Sequence, residues 1–306
     1  MSDLDVRIAD VERFLQGRYP SVGDVELLAG GAWSRAFGFR AADRSLVIRF
    51  GTHVEDYEKD RMASGWARPF LPIPSVVEIG EAFDGVFAVS ERGEGDKLDE
   101  LPPARLGRAI DSLLDSLATL EAVDLPGTGY GGWRAQSGDA SSTTWRDFLT
   151  SVPDRDDDRL RGWRERLSAD AAAGYMFERA QRSLEASVHA CSDLRRVVHG
   201  DLLAGNVLVS TDDRISAIFD WANALAGDPL YDYAWLLFWA PWHPGIDPKT
   251  IRDAAVGRFG ESGLDERLFC YQLNIALDSI QYKAFAGLLD DLNDTVKHTG
   301  RLLDGL

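Results

Sequence analysis

Cysteine is nearly absent. Cys191 and Cys270 are the two in 306 residues, so no disulfide framework is implied, and no Cys/His cluster has zinc spacing. Long apolar runs are missing too. The longest, from Tyr233 to Trp242, is broken by Pro241 and is too short to span a bilayer. Positive charge is scarce: 33 Lys and Arg stand against 50 Asp and Glu, a net charge of −17. That balance argues against nucleic acid or an anionic membrane as the main partner. It suits a cationic small substrate, and equally an acidic surface kept for solubility. There is no Walker A sequence, no internal repeat and no low-complexity segment. The first residues, Met1-Ser2-Asp3-Leu4-Asp5-Val6-Arg7, are acidic and mixed, unlike a signal or transit peptide, so a cytoplasmic protein is expected.

What is present centres on Val197-Val198-His199-Gly200-Asp201-Leu202-Leu203-Ala204-Gly205-Asn206-Val207-Leu208-Val209. Two apolar runs read as short buried strands holding a polar loop between them. Asp201 and Asn206 are five residues apart on that loop, and Asp220 follows the next strand-like run, Ile215-Ser216-Ala217-Ile218-Phe219. An Asp, an Asn five residues on, and a second Asp after the next strand is the spacing of a kinase catalytic loop with its metal-binding aspartate. The residue types suit that chemistry. A carboxylate at Asp201 can orient an acceptor hydroxyl and take its proton. Asn206 and Asp220 supply hard oxygen ligands for the Mg²⁺ that bridges nucleotide phosphates. The bland alternative is a polar turn between strands with a stray Asp.

The N-terminal third reads as a helix, with Val6, Ile8, Val11, Phe14 and Leu15 at helical spacing before Pro20, and then five strands of an antiparallel sheet. The strand cores are Val25–Leu28, Ala36–Phe39, Leu46–Phe50, Val76–Ile79 and Val86–Val89. The first turn carries Gly30, Gly31 and Ser34, where glycine would let backbone N–H groups reach nucleotide phosphates; a plain hairpin has the same look. Arg49 lies near the end of the third strand, where a kinase carries its phosphate-gripping lysine. Asp60, on a helical stretch eleven residues on, is its candidate ion-pair partner. Leu71-Pro72-Ile73-Pro74 is rigid and extended. Ser90, Glu91 and Arg92, with the glycines after them, read as a hinge whose backbone could hold a nucleotide base. The expected division is a nucleotide-binding lobe over 1–92 and a helical lobe over 93–306.

Beyond the hinge, Leu106, Ile110, Leu113, Leu114, Leu117 and Leu120 form one apolar stripe that reads as core. Residues 124–144 are rich in Gly, Ser and Thr and read as a long surface loop. The charge run at 153–159 reads as a solvated loop. After Gly227-Asp228-Pro229 comes an aromatic helix ending near Pro241, with Trp239 and Trp242 either as core or facing a cleft. Helices near 248–259, 264–285 and 286–303 finish the chain.

Together these residues resemble the aminoglycoside phosphotransferase family, which shares the protein-kinase-like fold. The motifs carrying the likeness are His199-Gly200-Asp201, Asn206, Asp220-Trp221 and Gly227-Asp228-Pro229. More specific are Ser34-Arg35-Ala36-Phe37, Lys59-Asp60-Arg61, Thr143-Thr144-Trp145-Arg146-Asp147-Phe148 and Phe238-Trp239-Ala240-Pro241-Trp242. The resemblance implies a bilobal α+β enzyme passing the γ-phosphoryl of ATP or GTP to a hydroxyl of an aminoglycoside, with hygromycin B the expected antibiotic. Asp201 would be the catalytic aspartate, Asn206 and Asp220 the Mg²⁺ ligands, and Arg49 with Asp60 the phosphate-side ion pair. Trp239 and Trp242 would lie against the antibiotic, with Asp201 and Asp278 as carboxylates for its polar groups. A cytoplasmic monomer acting on a cationic small molecule, with no nucleic-acid or membrane partner, is the expected whole. Another hydroxyl acceptor (a second aminoglycoside, an amino alcohol or a sugar) stays open at this point, as does a nucleotide-binding pseudokinase.

Overall fold

The computed structural model describes residues 6–28, 33–155, 158–203 and 205–305. In the N-terminal part, helix α1 (Ile8–Gln16) leads into strands β1 (Val22–Leu27), β2 (Ser34–Ala41) and β3 (Arg44–Gly51). Helix α2 (Val54–Ser64) then precedes β4 (Val76–Ala82) and β5 (Gly85–Glu91). The five strands make one antiparallel sheet in the order β1-β2-β3-β5-β4. Alternation along β3 explains its two faces. Leu46, Ile48 and Phe50 are buried in a core shared with Phe37, Phe87 and the α1 residues Val11 and Leu15. The intervening Arg49 is therefore turned to the other face, toward α2.

The C-terminal part is mostly helical. It runs through β6 (Asp96–Lys97), α3 (Pro103–Leu120), β7 (Tyr130–Trp133), β8 (Ala140–Ser142), α4 (Trp145–Thr150), α5 (Trp163–Ser168) and α6 (Ala171–Ser187). Short strands β9 (Arg196–Val198), β10 (Val207–Val209), β11 (Ile215–Ile218) and β12 (Leu225–Gly227) follow, then α7 (Leu230–Trp239), α8 (Pro248–Phe259), α9 (Leu264–Ala286) and α10 (Leu289–Asp304). The strands form two small sheets, β11-β10-β6 and β8-β7-β12-β9. The long α9 is the spine. Its buried Leu268, Tyr271, Leu273 and Leu277 belong to the same core as the α3 stripe and the buried residues of α6 and α7. Gly287, left-handed at φ 70, ends α9 so that α10 can fold back. Among the described residues no helix is long and apolar enough to cross a membrane.

Two expectations fail here. Residues 124–144 are not simply a surface loop: β7 and β8 pair within them, β7 also pairs with β12, and Trp133 is buried. The glycines that suggested a loop serve close packing. At Gly131, φ 95, a Cβ would stand 2.2 Å from the Phe148 ring. The charge run at 153–159 is the second. Arg155 and Arg159 are half-buried and turned into the cleft, because two half-buried carboxylates, Asp278 and Asp56, await them there.

Candidate active site

The catalytic-loop sequence is pinned at both ends by fully buried valines: Val197 and Val198 in β9, Val207 and Val209 in β10. At its start the buried carboxylate of Asp232, in the first turn of α7, accepts two backbone N–H groups, His199 at 2.9 Å and Gly200 at 2.8 Å. Burial pushes Asp232 up to about 6, against the pull of those two donors. The buried His199 ring accepts the Asp201 N–H at Nδ1 (3.2 Å), which leaves Nε2–H to donate to the Phe219 carbonyl at 3.2 Å. Desolvation holds His199 down to about 4, so it is a neutral strut. Gly200, φ 74, makes the turn that presents Asp201.

Asp201 is partly buried and faces the cavity. Burial, then the charges of Asp220 and Asp278, push its carboxyl up to about 7, while the hydrogen bond from Asn223 opposes the shift. Asn206 donates its Nδ2 to the main-chain carbonyl of Asp201 at 2.9 Å. Its side-chain oxygen is thereby left for another partner. Asp220 sits in the left-handed region, φ 63, a conformation that Asp tolerates better than most residues.

Arg49 and Asp60 form a buried ion pair. The second oxygen of Asp60 accepts the Trp221 N–H at 2.8 Å, so one carboxylate ties β3 to the residue after Asp220. Burial works against the Arg49 charge, but Asp60 and Asp220 outweigh it and hold the guanidinium firmly protonated. Arg49 lines the cavity and Asp60 stands behind it. Lys59, one residue earlier on α2, is also buried, and its ammonium donates to the carbonyls of Ala222 (2.8 Å) and Ala224 (3.4 Å). Desolvation lowers it to about 8.

Arg49, Lys59, Gly200 and Asp201 border one cavity of about 780 Å³, with Asp60, His199 and Asp232 behind its wall. Ser34, Arg49, Asn206 and Asp220 line it together with Asp201, and so do Asp278, Trp239 and Trp242. The two indoles lie 5.2 Å apart at 55°, Trp242 is 37% exposed, and the Lys283 ammonium stands 4.8 Å from the Trp239 ring. Arg155 stacks on Phe148 (4.2 Å) and donates to Asp278 at 3.0 Å. Arg159 donates to Asp56 of α2 at 2.7 Å. Trp33 stacks on Phe285 of α9, with centroids 6.0 Å apart, and joins the end of the first turn to the helical part.

Gly30 and Gly31 lie outside the described residues. Ser90, Glu91 and Arg92 are not brought into this cavity. Ser90 and Glu91 still belong to β5, the Glu91 N–H donates to Ser75 O (2.9 Å), and the Arg92 N–H donates to Ser45 O (3.1 Å). The sheet runs further toward the hinge than the Ser-Glu-Arg composition suggests and uses those donors itself.

The donor set suits a hard cation carried in with a polyphosphate. Asn206 and Asp220 offer one amide oxygen and one carboxylate beside Arg49, and among the described residues no three His, Cys, Asp or Glu side chains form a metal cage. Mg²⁺ is commonly held by one or two protein oxygens plus phosphates and water. The roles of Lys59, Asp232, Asn223, Arg155 and Arg159 are not read from the sequence. The four-residue spacing of Arg155 and Arg159, and a lysine beside the ion-pair aspartate, were the available signals.

Comparison with known proteins adds to this geometry. The chain is 31% identical to hygromycin-B 4-O-kinase of Escherichia coli over 294 residues, which is 95% of this chain and 84% of that protein. It is 30% identical to viomycin phosphotransferase of Streptomyces vinaceus over 169 residues, 53% of this chain and 51% of that one. In three dimensions it is similar to a thermostable mutant of aminoglycoside phosphotransferase APH(4)-Ia in ternary complex with AMP-PNP and hygromycin B. There the TM-score is 0.84 and the identity 30%, covering 96% of this chain and 98% of that one. Aminoglycoside 2'-phosphotransferase-IIIa in its GDP complex has the same fold, with a TM-score of 0.68 at 18% identity over 98% and 99% of the two chains. The model of the phosphotransferase enzyme family matches residues 24–267, and the chain belongs to that family.

Proposed function

We propose that this protein is an aminoglycoside O-phosphotransferase that moves the γ-phosphoryl group of ATP, or GTP, to a hydroxyl of hygromycin B, conferring resistance to that antibiotic. One observation carries the reading. A charged arginine, two oxygen ligands and a carboxylate converge on a single cavity whose other wall holds two indoles and Asp278. The likeness to a hygromycin-B 4-O-kinase over nearly the whole chain supports the acceptor.

In this reading Arg49, kept charged and aimed by Asp60, grips phosphate oxygens with its planar fork. Ser34, at the start of β2, meets the phosphates from the sheet side, and Gly30 and Gly31, outside the described residues, are kept as phosphate contacts. Asn206 and Asp220 hold Mg²⁺, which when bound neutralises phosphate charge. Asp201 accepts a hydrogen bond from the attacking hydroxyl, aligns it with the γ-phosphorus and takes its proton as the new O–P bond forms and the γ-phosphorus bond to the β,γ-bridging oxygen breaks, releasing ADP or GDP. Trp239 and Trp242 offer flat faces to the sugar rings, and Asp278 receives an ammonium group. Most of the acceleration comes from positioning and charge stabilisation. A nucleotide lobe over 1–92 and an acceptor lobe over 93–306 work as one cytoplasmic monomer, and the surplus of negative charge favours capture of a cationic antibiotic.

The test is ADP release from MgATP with and without hygromycin B. Strong stimulation by the antibiotic is expected. Stimulation only by a different hydroxyl compound would reassign the acceptor, and binding of nucleotide with no turnover under any acceptor would make the chain a pseudokinase.

A further inference from the structure

We propose that Asn223 is the positioning residue of the Asp201 carboxylate and that Lys59 aims it. The inference rests on the reading of Asp201 as the base of a phosphoryl transfer. Asn223 Nδ2 donates to Asp201 Oδ2 at 3.1 Å, whereas Asn206 Nδ2 donates to the main-chain carbonyl of Asp201 at 2.9 Å. The two amides have different tasks. Asn206 fixes the backbone of the loop, and Asn223 fixes the rotation of the carboxylate. With Oδ2 engaged, Oδ1 is the oxygen left to receive an acceptor hydroxyl.

Asn223 is exposed on the cavity wall, yet its backbone is held from both sides. The Lys59 ammonium donates to the carbonyls of Ala222 (2.8 Å) and Ala224 (3.4 Å), its two chain neighbours. The catalytic loop packs close behind it: a Cβ on Gly200 would stand 3.3 Å from the Asn223 carbonyl oxygen. A contact therefore runs from α2 through Lys59 and Asn223 to Asp201. The amide also fits the local charge. Asp201 already feels Asp220 and Asp278 as negative neighbours. A carboxylate at position 223 would add a third. A lysine or arginine there would pair with Asp201 and compete with the acceptor. An amide gives a hydrogen-bond donor and no charge.

Steady-state transfer from MgATP to hygromycin B, measured beside thermal melts for wild type, Asn223→Ala and Asn223→Asp, tests this. Misplacing a reacting group is costly in rate, so Asn223→Ala should lower kcat by about 10-fold to 100-fold. Its MgATP KM should stay within about twofold and its Tm within about 2 °C, because an exposed side chain adds little to packing. Asn223→Asp keeps the shape, loses the donor and adds repulsion, so it should be slower still. A role in packing alone predicts the reverse ranking. A kcat for Asn223→Ala near that of wild type, or Asn223→Asp faster than Asn223→Ala, overturns the assignment of Asn223 and leaves the functional reading standing. Absence of transfer by wild type overturns the functional reading, and this assignment with it.

Discussion

Replacing Lys59 by methionine should separate stability from catalysis. Lys59 is 6% exposed, and burial lowers its ammonium from 10.5 to about 8. At pH 7 the group is charged both folded and unfolded, so the whole shift appears as a cost to the folded state. A lowering of that size corresponds to about 3 kcal/mol at 1.36 kcal/mol per pH unit. Methionine removes the cost and fills a similar volume over the Trp133 ring, where the ammonium now sits at 5.1 Å. Against that gain, the Ala222 and Ala224 carbonyls lose their donor, a loss of about 1–3 kcal/mol. The two effects nearly cancel. Lys59→Met should unfold in urea at pH 7 within about 2 kcal/mol of wild type, unlike the 3–5 kcal/mol usual when one partner of a buried ion pair is removed. Transfer should suffer more: loosening the Ala222–Ala224 backbone lets Asn223 and Asp220 drift, with a kcat loss of about tenfold. Parallel urea curves and kinetics on one preparation decide it. A loss of stability well above 3 kcal/mol, or full activity, refutes the reasoning.

Other perturbations read other parts of the site. Asp220→Asn should weaken MgATP binding more than binding of metal-free nucleotide, read by calorimetry with and without Mg²⁺; equal losses would show that Asp220 is no metal ligand. Trp239→Ala should raise the KM for hygromycin B and leave the MgATP KM unchanged, with a modest drop in Tm because the indole is only half-buried. A drop worth about 3–5 kcal/mol, the range for a core Trp, would make it a packing residue instead. His199 is held to about 4 against an ordinary 6.5, so the unfolded chain takes up its proton first as pH falls. Its contribution is complete above pH 6.5 and is lost toward pH 4, about 3 kcal/mol in all. His199→Gln should therefore be less stable than wild type at pH 7, with the gap narrowing by that amount at pH 4; a constant gap across urea curves at both pH values contradicts a buried neutral imidazole.

The parts of the site that follow from short-range spacing were legible in the sequence. Asp201 and Asn206 share one loop, Asp220 ends the next hairpin, and alternation along β3 sends Arg49 to the face opposite the Leu46, Ile48 and Phe50 core. Legibility stopped where a residue's meaning depends on a distant partner. Arg155 looks like one charge in a polar run until Asp278, 123 residues away, is folded beside it. Lys59 belongs to the Lys59-Asp60-Arg61 motif, but its task shows only when the carbonyls 163 and 165 residues on meet it. Gly131 suggests a loop by composition and is instead the place where Phe148 closes on β7. The extent of β5 was hidden for a related reason. Pairing of β5 with β3 continues through Glu91, and the Arg92 N–H then donates to Ser45 O, although neither residue looks like a strand former.

The Asp201 loop is expected to transfer a phosphoryl group to an aminoglycoside hydroxyl. Mass spectrometry of hygromycin B after incubation with MgATP and either wild type or Asp201→Ala tests it most directly. One added phosphoryl group per antibiotic is expected with wild type, and a folded Asp201→Ala variant should be slower by about 10²–10⁴-fold, the usual contribution of a positioned general base. Unmodified hygromycin B after prolonged incubation with wild type, or equal phosphorylation by both proteins, would contradict that role for the loop.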